Sequence, residues 1–214
     1  MLSRDKRIEI FLSSLEKGNP DFIDDLEEKA INDNVPIIKK PVQGLLRVLL
    51  KMLKPERVLE IGTAVGFSAM FMMYHAPEIK RLTTIEDYKK RFDEAEKNFE
   101  AYGFSDRTEL IFGDANEILP KLEEPYDLIF MDAAKAQYIN YLPEAVRLLK
   151  SGGMLIADNC LQDGDILESR FIIERRDRTI HKRMREFLYC INNSDELEST
   201  VLDIGDGVAL CVRK

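Results

Sequence analysis

Five short apolar segments, at residues 57–62, 81–86, 108–112, 126–131 and 153–157, recur along this chain with amphipathic stretches between them. Strands that alternate with helical stripes are met by a parallel sheet, because parallel neighbours need a connection long enough to hold a helix. Crossover helices then cover both faces, which is why these strands are continuously apolar. The tail departs from that rhythm: residues 199–204, a Gly205-Asp206-Gly207 turn and residues 208–212 read as an antiparallel hairpin. The expectation is therefore an α/β fold with a central, mostly parallel seven-stranded sheet, an antiparallel C-terminal hairpin and helices on both faces.

Helices precede the sheet. Ile8, Phe11, Leu12 and Leu15 recur at three- and four-residue spacing, predicting a helix that ends near Gly18. Asn19-Pro20 reads as an N-cap and first-turn proline opening a second helix through Ala30. After the apolar turn Val35-Pro36-Ile37-Ile38, Val42, Leu45, Leu46, Leu49, Leu50 and Leu53 form a third stripe that Pro55 stops. With 214 residues and neither repeat nor linker, residues 1–214 are expected to form one domain.

Composition narrows the class. Hydrophobic residues at 45% and charged residues at 33% suit a chain with a sizeable core and exclude general disorder. Apolar runs are too short to span a bilayer, and Glu9 and Glu16 interrupt the first segment, unlike a secretion signal. A cytoplasmic protein without membrane association is expected. Cys160, Cys190 and Cys211 are odd in number and widely spaced, so they read as buried small hydrophobes rather than a disulfide framework. A net charge of −8 excludes an all-over nucleic-acid coat but not a local basic patch.

Ligands of open α/β sheets bind outside the C-terminal strand ends. At the first such end, residues 60–68 spell Glu-Ile-Gly-Thr-Ala-Val-Gly-Phe-Ser, with Gly62 and Gly66 spaced GxxxG rather than as a dinucleotide fingerprint. Glu86 ends the second strand 24 residues after Gly62, placed to accept both hydrogen bonds of a ribose diol; alone it reads equally as a solvated carboxylate. Asp114 and Ala115 follow the third strand, where an adenine would be held, although Asp114 also suits an N-cap for the next helix.

Two further strand ends carry acids. Asp132 follows residues 126–131, and Asp158-Asn159 follows residues 153–157. Two carboxylates and an amide oxygen make a hard, oxygen-only set suited to Mg²⁺ or Mn²⁺, with positions left for water or substrate. Lys135, three residues beyond Asp132, is placed to take a proton from an activated hydroxyl; its bland alternative is a solvent-facing lysine at a helix start.

These motifs together resemble the cation-dependent O-methyltransferases that include catechol and caffeoyl-CoA methyltransferases. VLEIGTAVGFSA resembles their cofactor loop, TTIE the ribose-binding strand end, FGDA the adenine segment, and MDAAKAQY with IADN the metal and base motifs. The resemblance runs from Val35 to the C-terminus and implies a Rossmann-like class I methyltransferase fold, with residues 1–54 covering the cofactor and substrate site. It implies S-adenosylmethionine bound by Ile38, Glu60, Gly62, Ser68, Glu86, Asp114, Ala115 and Asp132, metal ligation by Asp132, Asp158 and Asn159, and catalysis by Lys135. Many members have DADK where this chain has DAAK. DAAK with the following Gln-Tyr, VPI, DN and the closing GDG is most similar to the bacterial tRNA 5-hydroxyuridine methyltransferases. That similarity implies tRNA as partner, methylated at wobble position 34 to 5-methoxyuridine, and with the N-terminal helices suggests a homodimer.

A separate reading of the residues bears on an RNA substrate. Arg170, Arg175, Arg176, Arg178, Lys182, Arg183 and Arg185 share sixteen residues with only Glu174 and Asp177, seven cations against two anions for a local balance of +5. Such a run neutralises phosphates or forms a solvated, partly ion-paired helix face. His181 in this run reads as a surface or RNA-facing residue and His75 as a helix-end histidine. Tyr138, Tyr141 and Phe171 either wall a pocket for a small catechol-like phenol, the alternative substrate, or pack the core. A non-catalytic cofactor- or RNA-binding module would not need Lys135 and all three ligands.

Overall fold

The computed structural model describes residues 4–169 and 171–214. Its centre is one seven-stranded sheet built from β1 (Arg57–Ile61), β2 (Arg81–Glu86), β3 (Thr108–Phe112), β4 (Tyr126–Met131), β5 (Leu149–Ala157), β6 (Leu197–Leu202) and β7 (Val208–Arg213), in the order β3-β2-β1-β4-β5-β7-β6. β1 to β5 are parallel; β7 runs antiparallel to β5 and to β6. The strand order reverses between β1 and β4, which opens a crevice at the C-terminal edge of the sheet.

Helices are α1 (Arg4–Ser14), α2 (Asp21–Asn32), α3 (Lys40–Leu53), α4 (Phe67–His75), α5 (Lys89–Ala101), α6 (Ala115–Ile118), α7 (Tyr138–Leu148) and α8 (Arg178–Asn192). Because side chains alternate along a strand, each strand feeds two cores. Val58, Leu82, Leu128, Phe130 and Ile156 pack with apolar residues of α2 to α5, while Leu59, Ile61, Ile129, Met131 and Leu155 pack with α7 and α8. Helices thus cover both faces, as expected, and no helix among the described residues is long and apolar enough to cross a membrane.

Several boundaries differ from the sequence reading, each for a local reason. α1 ends at Ser14 rather than near Gly18, and α2 has Pro20 in extended backbone at its N-cap position with no side-chain cap. Asn19 instead ties two helices together, donating to Gln43 Oε1 (3.0 Å) and Asp24 Oδ1 (3.3 Å). β5 starts at Leu149, earlier than Gly153, because an irregularity absorbs residues between the Tyr126–Leu149 and Leu128–Met154 pairs. Cys160 and Cys211 are buried, but Cys190 is exposed on α8 and does not serve the core. His75 closes α4 as expected, its ring tilted at 55° to that of Phe71 with centroids 4.4 Å apart, and is pushed down to about 4 by burial and by Arg47 and Lys51.

Register brings the strand ends level. Ile61 is paired with Ile85 and Met131, and Met131 with Ala157. The ladder continues one residue further, with Gly62 N donating to Ile85 O, Asp132 N to Ile61 O and Asp158 N to Met131 O, each at 3.0 Å. Gly62, Glu86, Asp132 and Asp158 therefore share one edge.

Candidate active site

A cavity of about 440 Å³ opens at that edge, bounded by the β1–α4 loop, the end of β2, the loops after β3 and β4, and the link between α2 and α3. Of the first 54 residues, the link residues Pro36, Ile37 and Ile38 line it, while α2 and α3 pack against the sheet.

Its glycine is dictated by backbone proximity. Gly62 has φ +99°, and a Cβ there would lie 2.1 Å from Asp132 O, so only glycine lets β1 and β4 approach this closely. The loop then turns so that Ala64 N donates to Glu86 Oε2 at 2.8 Å, while Tyr88 N donates to Oε1 at 2.9 Å. Glu86 is thereby fixed at the cavity wall by two backbone donors, with lone pairs left for a diol. Ala115 and Ser68 also line the cavity.

Glu60 lies beneath the loop, fully buried and outside the cavity lining. Ser68 Oγ donates to its Oε1 (2.5 Å) and Thr84 Oγ1 to its Oε2 (2.6 Å), with Thr63 Oγ1 a further 2.6 Å from Thr84 Oγ1. Burial pushes the Glu60 carboxyl up to about 8, against the opposing pull of those two hydroxyl bonds. Asp114 is placed as the N-cap of α6, accepting from Asn116 N at 2.8 Å, and its side chain is exposed at the rim.

The neighbouring half of the edge is short of donors. Asp132, half-buried on the cavity wall, is pushed up to about 6 by burial, offset by the Lys135 charge. Asp158 is 1% exposed and rises to about 7 through burial and the adjacent negative charge of Asp132. The amide of Asn159 donates to its Oδ1 at 2.7 Å. Asn159 lines the cavity from a left-handed backbone, φ 57°, a conformation that asparagine tolerates well.

Lys135 opens a 3-10 turn, Lys135–Gln137, and lines the cavity. Its Nζ lies 3.2 Å from Oδ2 of Asp206, which is 6% exposed. Asp206 was absent from the sequence-predicted site. The signal was the Gly205-Asp206-Gly207 turn, read there as a hairpin connection and as part of the family resemblance, with no role given to Asp206. A Cβ on Gly207, φ +82°, would lie 2.2 Å from Leu161 Cγ. That close approach lets Cys160 N donate to Gly207 O (2.8 Å) and Leu161 N to Asp206 O (2.9 Å), clamping the hairpin turn onto the Asp158-Asn159 loop.

The charges of Asp132 and Asp206 press Asp158 upward while that of Lys135 opposes them, and Lys135 itself lies 3.2 Å from Asp206. A surplus of buried negative charge beside an amide oxygen fits a hard divalent cation, which would relieve the repulsion that raises Asp158. No three acidic, histidine or cysteine side chains among the described residues converge as a metal cluster, so the fitting set is two carboxylates with Asn159.

The basic segment borders this site but is partly occupied. Arg183 donates to Ala136 O (3.1 Å), inside the lysine turn; Arg178 donates to Ile173 O (3.0 Å) and Arg185 to Ile166 O (2.9 Å). Arg176 pairs with Glu174 and Asp177, and Lys182 with Glu186. Arg175 is exposed, and Arg170 lies outside the described residues. His181 is not a surface residue: it is 5% exposed, with Nε2 3.1 Å from Glu168 O. Of the aromatic candidates, Tyr141 lines the cavity, Tyr138 is in the core, and Phe171 is 88% exposed.

Comparison with known proteins follows the same geometry. The model of an O-methyltransferase family matches residues 13–214. A catechol O-methyltransferase of Niastella koreensis is 32% identical over 184 residues, covering 81% of each chain. A catechol O-methyltransferase of Mycobacterium tuberculosis is 37% identical over 123 residues, 57% of this chain and 56% of that protein. The crystal structure of an S-adenosylhomocysteine-bound methyltransferase from Podospora anserina superimposes with a TM-score of 0.88, covering 100% of this chain and 97% of that one; at 24% identity it speaks for the fold.

Proposed function

The chain belongs to the O-methyltransferase family and is an S-adenosylmethionine-dependent O-methyltransferase; on that premise we propose that it methylates a substrate hydroxyl with the help of a divalent cation that Asp132, Asp158 and Asn159 would hold. The observation that carries this reading is the pair of donor-poor carboxylates at adjacent strand ends, offset by Lys135. A divalent cation there supplies Lewis acidity, which eases loss of a ligated hydroxyl proton.

This chain's own residues supply the rest. Gly62 lets the β1–α4 loop close against the backbone after β4 at the cavity edge, Glu86 accepts from the cofactor's ribose, and Ile38 with Ala115 walls the apolar side. Transfer forms an oxygen–methyl bond as the sulfur–methyl bond breaks, and the hydroxyl proton must leave. Lys135 is the residue placed to receive that proton, and Asp206, 3.2 Å from its Nζ, holds the side chain in place. Alignment of nucleophile and methyl group makes up much of the remaining rate enhancement.

Both 5-hydroxyuracil and catechol set a second oxygen beside the reacting hydroxyl, so both suit a cation with free coordination positions. We favour the 5-hydroxyuridine of tRNA at the wobble position, supported by the DAAKAQY motif and by the basic segment that reaches the lysine turn through Arg183. A small catechol-like phenol is the second reading, favoured by the names of the two curated relatives. The exposed stripe of Ile10, Phe11, Leu12 and Leu15 in and just after α1 supports a homodimer.

Labelled cofactor offered with tRNA carrying 5-hydroxyuridine, and separately with catechol, tests the reading at several salt concentrations. Salt-sensitive methylation of the tRNA is the expected result. Activity on catechol alone would replace the RNA reading with the second one, and full activity in excess EDTA would remove the cation.

A further inference from the structure

Tyr138 is the first residue of α7, directly after the turn that carries Lys135, and it is fully buried. Its hydroxyl does not reach the cavity. Tyr138 Oη lies 3.0 Å from Asp158 O and 3.2 Å from Met131 O. Those carbonyls belong to the ends of two different strands: Asp158 is itself a proposed ligand, and Met131 immediately precedes Asp132. A phenol has one proton, so a single O–H is shared between two acceptors. Met131 O already accepts from Asp158 N at 3.0 Å, so the phenol joins a bridge that ties β4 to β5 at the level of the acids.

The ring is held from behind. Its centroid is 5.5 Å from that of Phe187 on α8, at 80° between planes, an edge-to-face contact. Directly after Asp158-Asn159 in the chain, Cys160 N and Leu161 N donate to Gly207 O and Asp206 O. The loop is therefore gripped from two directions: by the hairpin turn that also carries the partner of Lys135, and by the tyrosine that follows Lys135.

We propose that Tyr138 is a positioning residue for the cation seat, its hydroxyl fixing Asp158 relative to Asp132 and to the lysine turn. It acts through Asp158 and touches no substrate. This rests on the reading of Asp132, Asp158 and Asn159 as the cation ligands. Hydrogen bonds one layer outside a metal site set ligand orientation, and their loss commonly costs about ten- to a hundred-fold in affinity or activity. Removing the hydroxyl alone also takes the phenol donor from Asp158 O, while Met131 O keeps the Asp158 amide, so the penalty is local to the β5 end.

The test compares Tyr138→Phe, which deletes the hydroxyl and keeps the ring, with Phe187→Leu, which loosens the packing behind the same ring and keeps the hydroxyl. Mn²⁺ binding to each intact protein is measured by calorimetry, with S-adenosylhomocysteine affinity and thermal midpoint measured alongside. Tyr138→Phe is expected to weaken Mn²⁺ binding about ten-fold or more, with S-adenosylhomocysteine affinity within about two-fold of the parent, while Phe187→Leu lowers the midpoint with a smaller change in Mn²⁺ binding. Parent-like Mn²⁺ binding in Tyr138→Phe overturns the proposal. So does an equal loss in both variants that tracks their midpoints, since that is a core residue's behaviour. A parent protein that binds no Mn²⁺ overturns the cation reading itself, and the positioning role with it.

Discussion

The two halves of the sheet edge use the same topological position for opposite electrostatic purposes. At the end of β2, Glu86 accepts from the amides of Ala64 and Tyr88, so its charge is met by the protein before any ligand arrives. At the ends of β4 and β5, Asp132 is half-buried and Asp158 buried, both with few donors, and desolvation raises them to about 6 and about 7. A carboxylate held by backbone amides is a ready acceptor for hydroxyl groups of an organic ligand. A carboxylate left wanting a positive charge suits a cation. On the proposed reading, one fold edge thus carries a diol clamp and a metal seat side by side, and the difference lies in what the adjoining loop offers each acid.

The contrast predicts different failures. Asp158→Ala removes a ligand from the donor-poor half, and methyl transfer should fall about a thousand-fold, the equivalent of several kcal/mol of Lewis-acid stabilisation. Cofactor affinity, measured by calorimetry, should change by about two-fold at most; an equal loss of both would erase the distinction between the halves. Lys135→Ala comes next, lowering kcat about a hundred-fold with little change in cofactor affinity, in keeping with the usual contribution of a positioned acid or base. Unchanged turnover would leave Lys135 as a partner for Asp206 alone. In the other half, Glu86→Gln should raise KM for the cofactor about ten-fold while kcat stays near the parent value, because one charge-assisted acceptor is weakened. A dominant loss in kcat would place Glu86 on the wrong side of the comparison.

How far the sequence showed this division depends on the range of the interactions involved. Strands and crossover helices were legible because periodicity is local, and the acids at residues 86, 132 and 158 followed from strand ends without any knowledge of partners. What was hidden is contact between distant residues. Lys135 meets Asp206 across 71 positions, and the glycines around Asp206 announced a turn but not the loop it would press against. His181 sat among arginines and so read as surface, yet its place on the inward face of α8 buries it against Glu168 O. The arginine run read as either a phosphate-binding or a partly ion-paired face, and neither reading contained the bonds by which Arg178, Arg183 and Arg185 each donate to a backbone carbonyl. Glu60 was legible as part of the glycine loop, but its position below the cavity depends on Ser68 and on Thr84 of the neighbouring strand.

Glu60 also offers the subtlest way to sharpen the comparison, since it is an acid on the cofactor side that shares the burial of the metal side. Its carboxyl is raised from 4.5 to about 8, first by burial, with the Ser68 and Thr84 bonds opposing. Raised in the folded state, it binds its proton more tightly there than in the unfolded chain. Its neutral form therefore contributes stability in full below about 4.5, loses it as pH rises toward 8, and contributes no further slope above that. Asp132 and Asp158 impose a slope of the same sign in every variant that retains them. The difference between the parent and Glu60→Gln isolates Glu60, because glutamine stays neutral throughout. Thermal midpoints measured in EDTA from pH 5 to pH 9 should show the parent losing stability relative to Glu60→Gln up to about pH 8, with a constant gap beyond. Parallel curves over the whole range would mean that Glu60 is charged in the folded protein, met by its two hydroxyl donors much as Glu86 is met by its two amides.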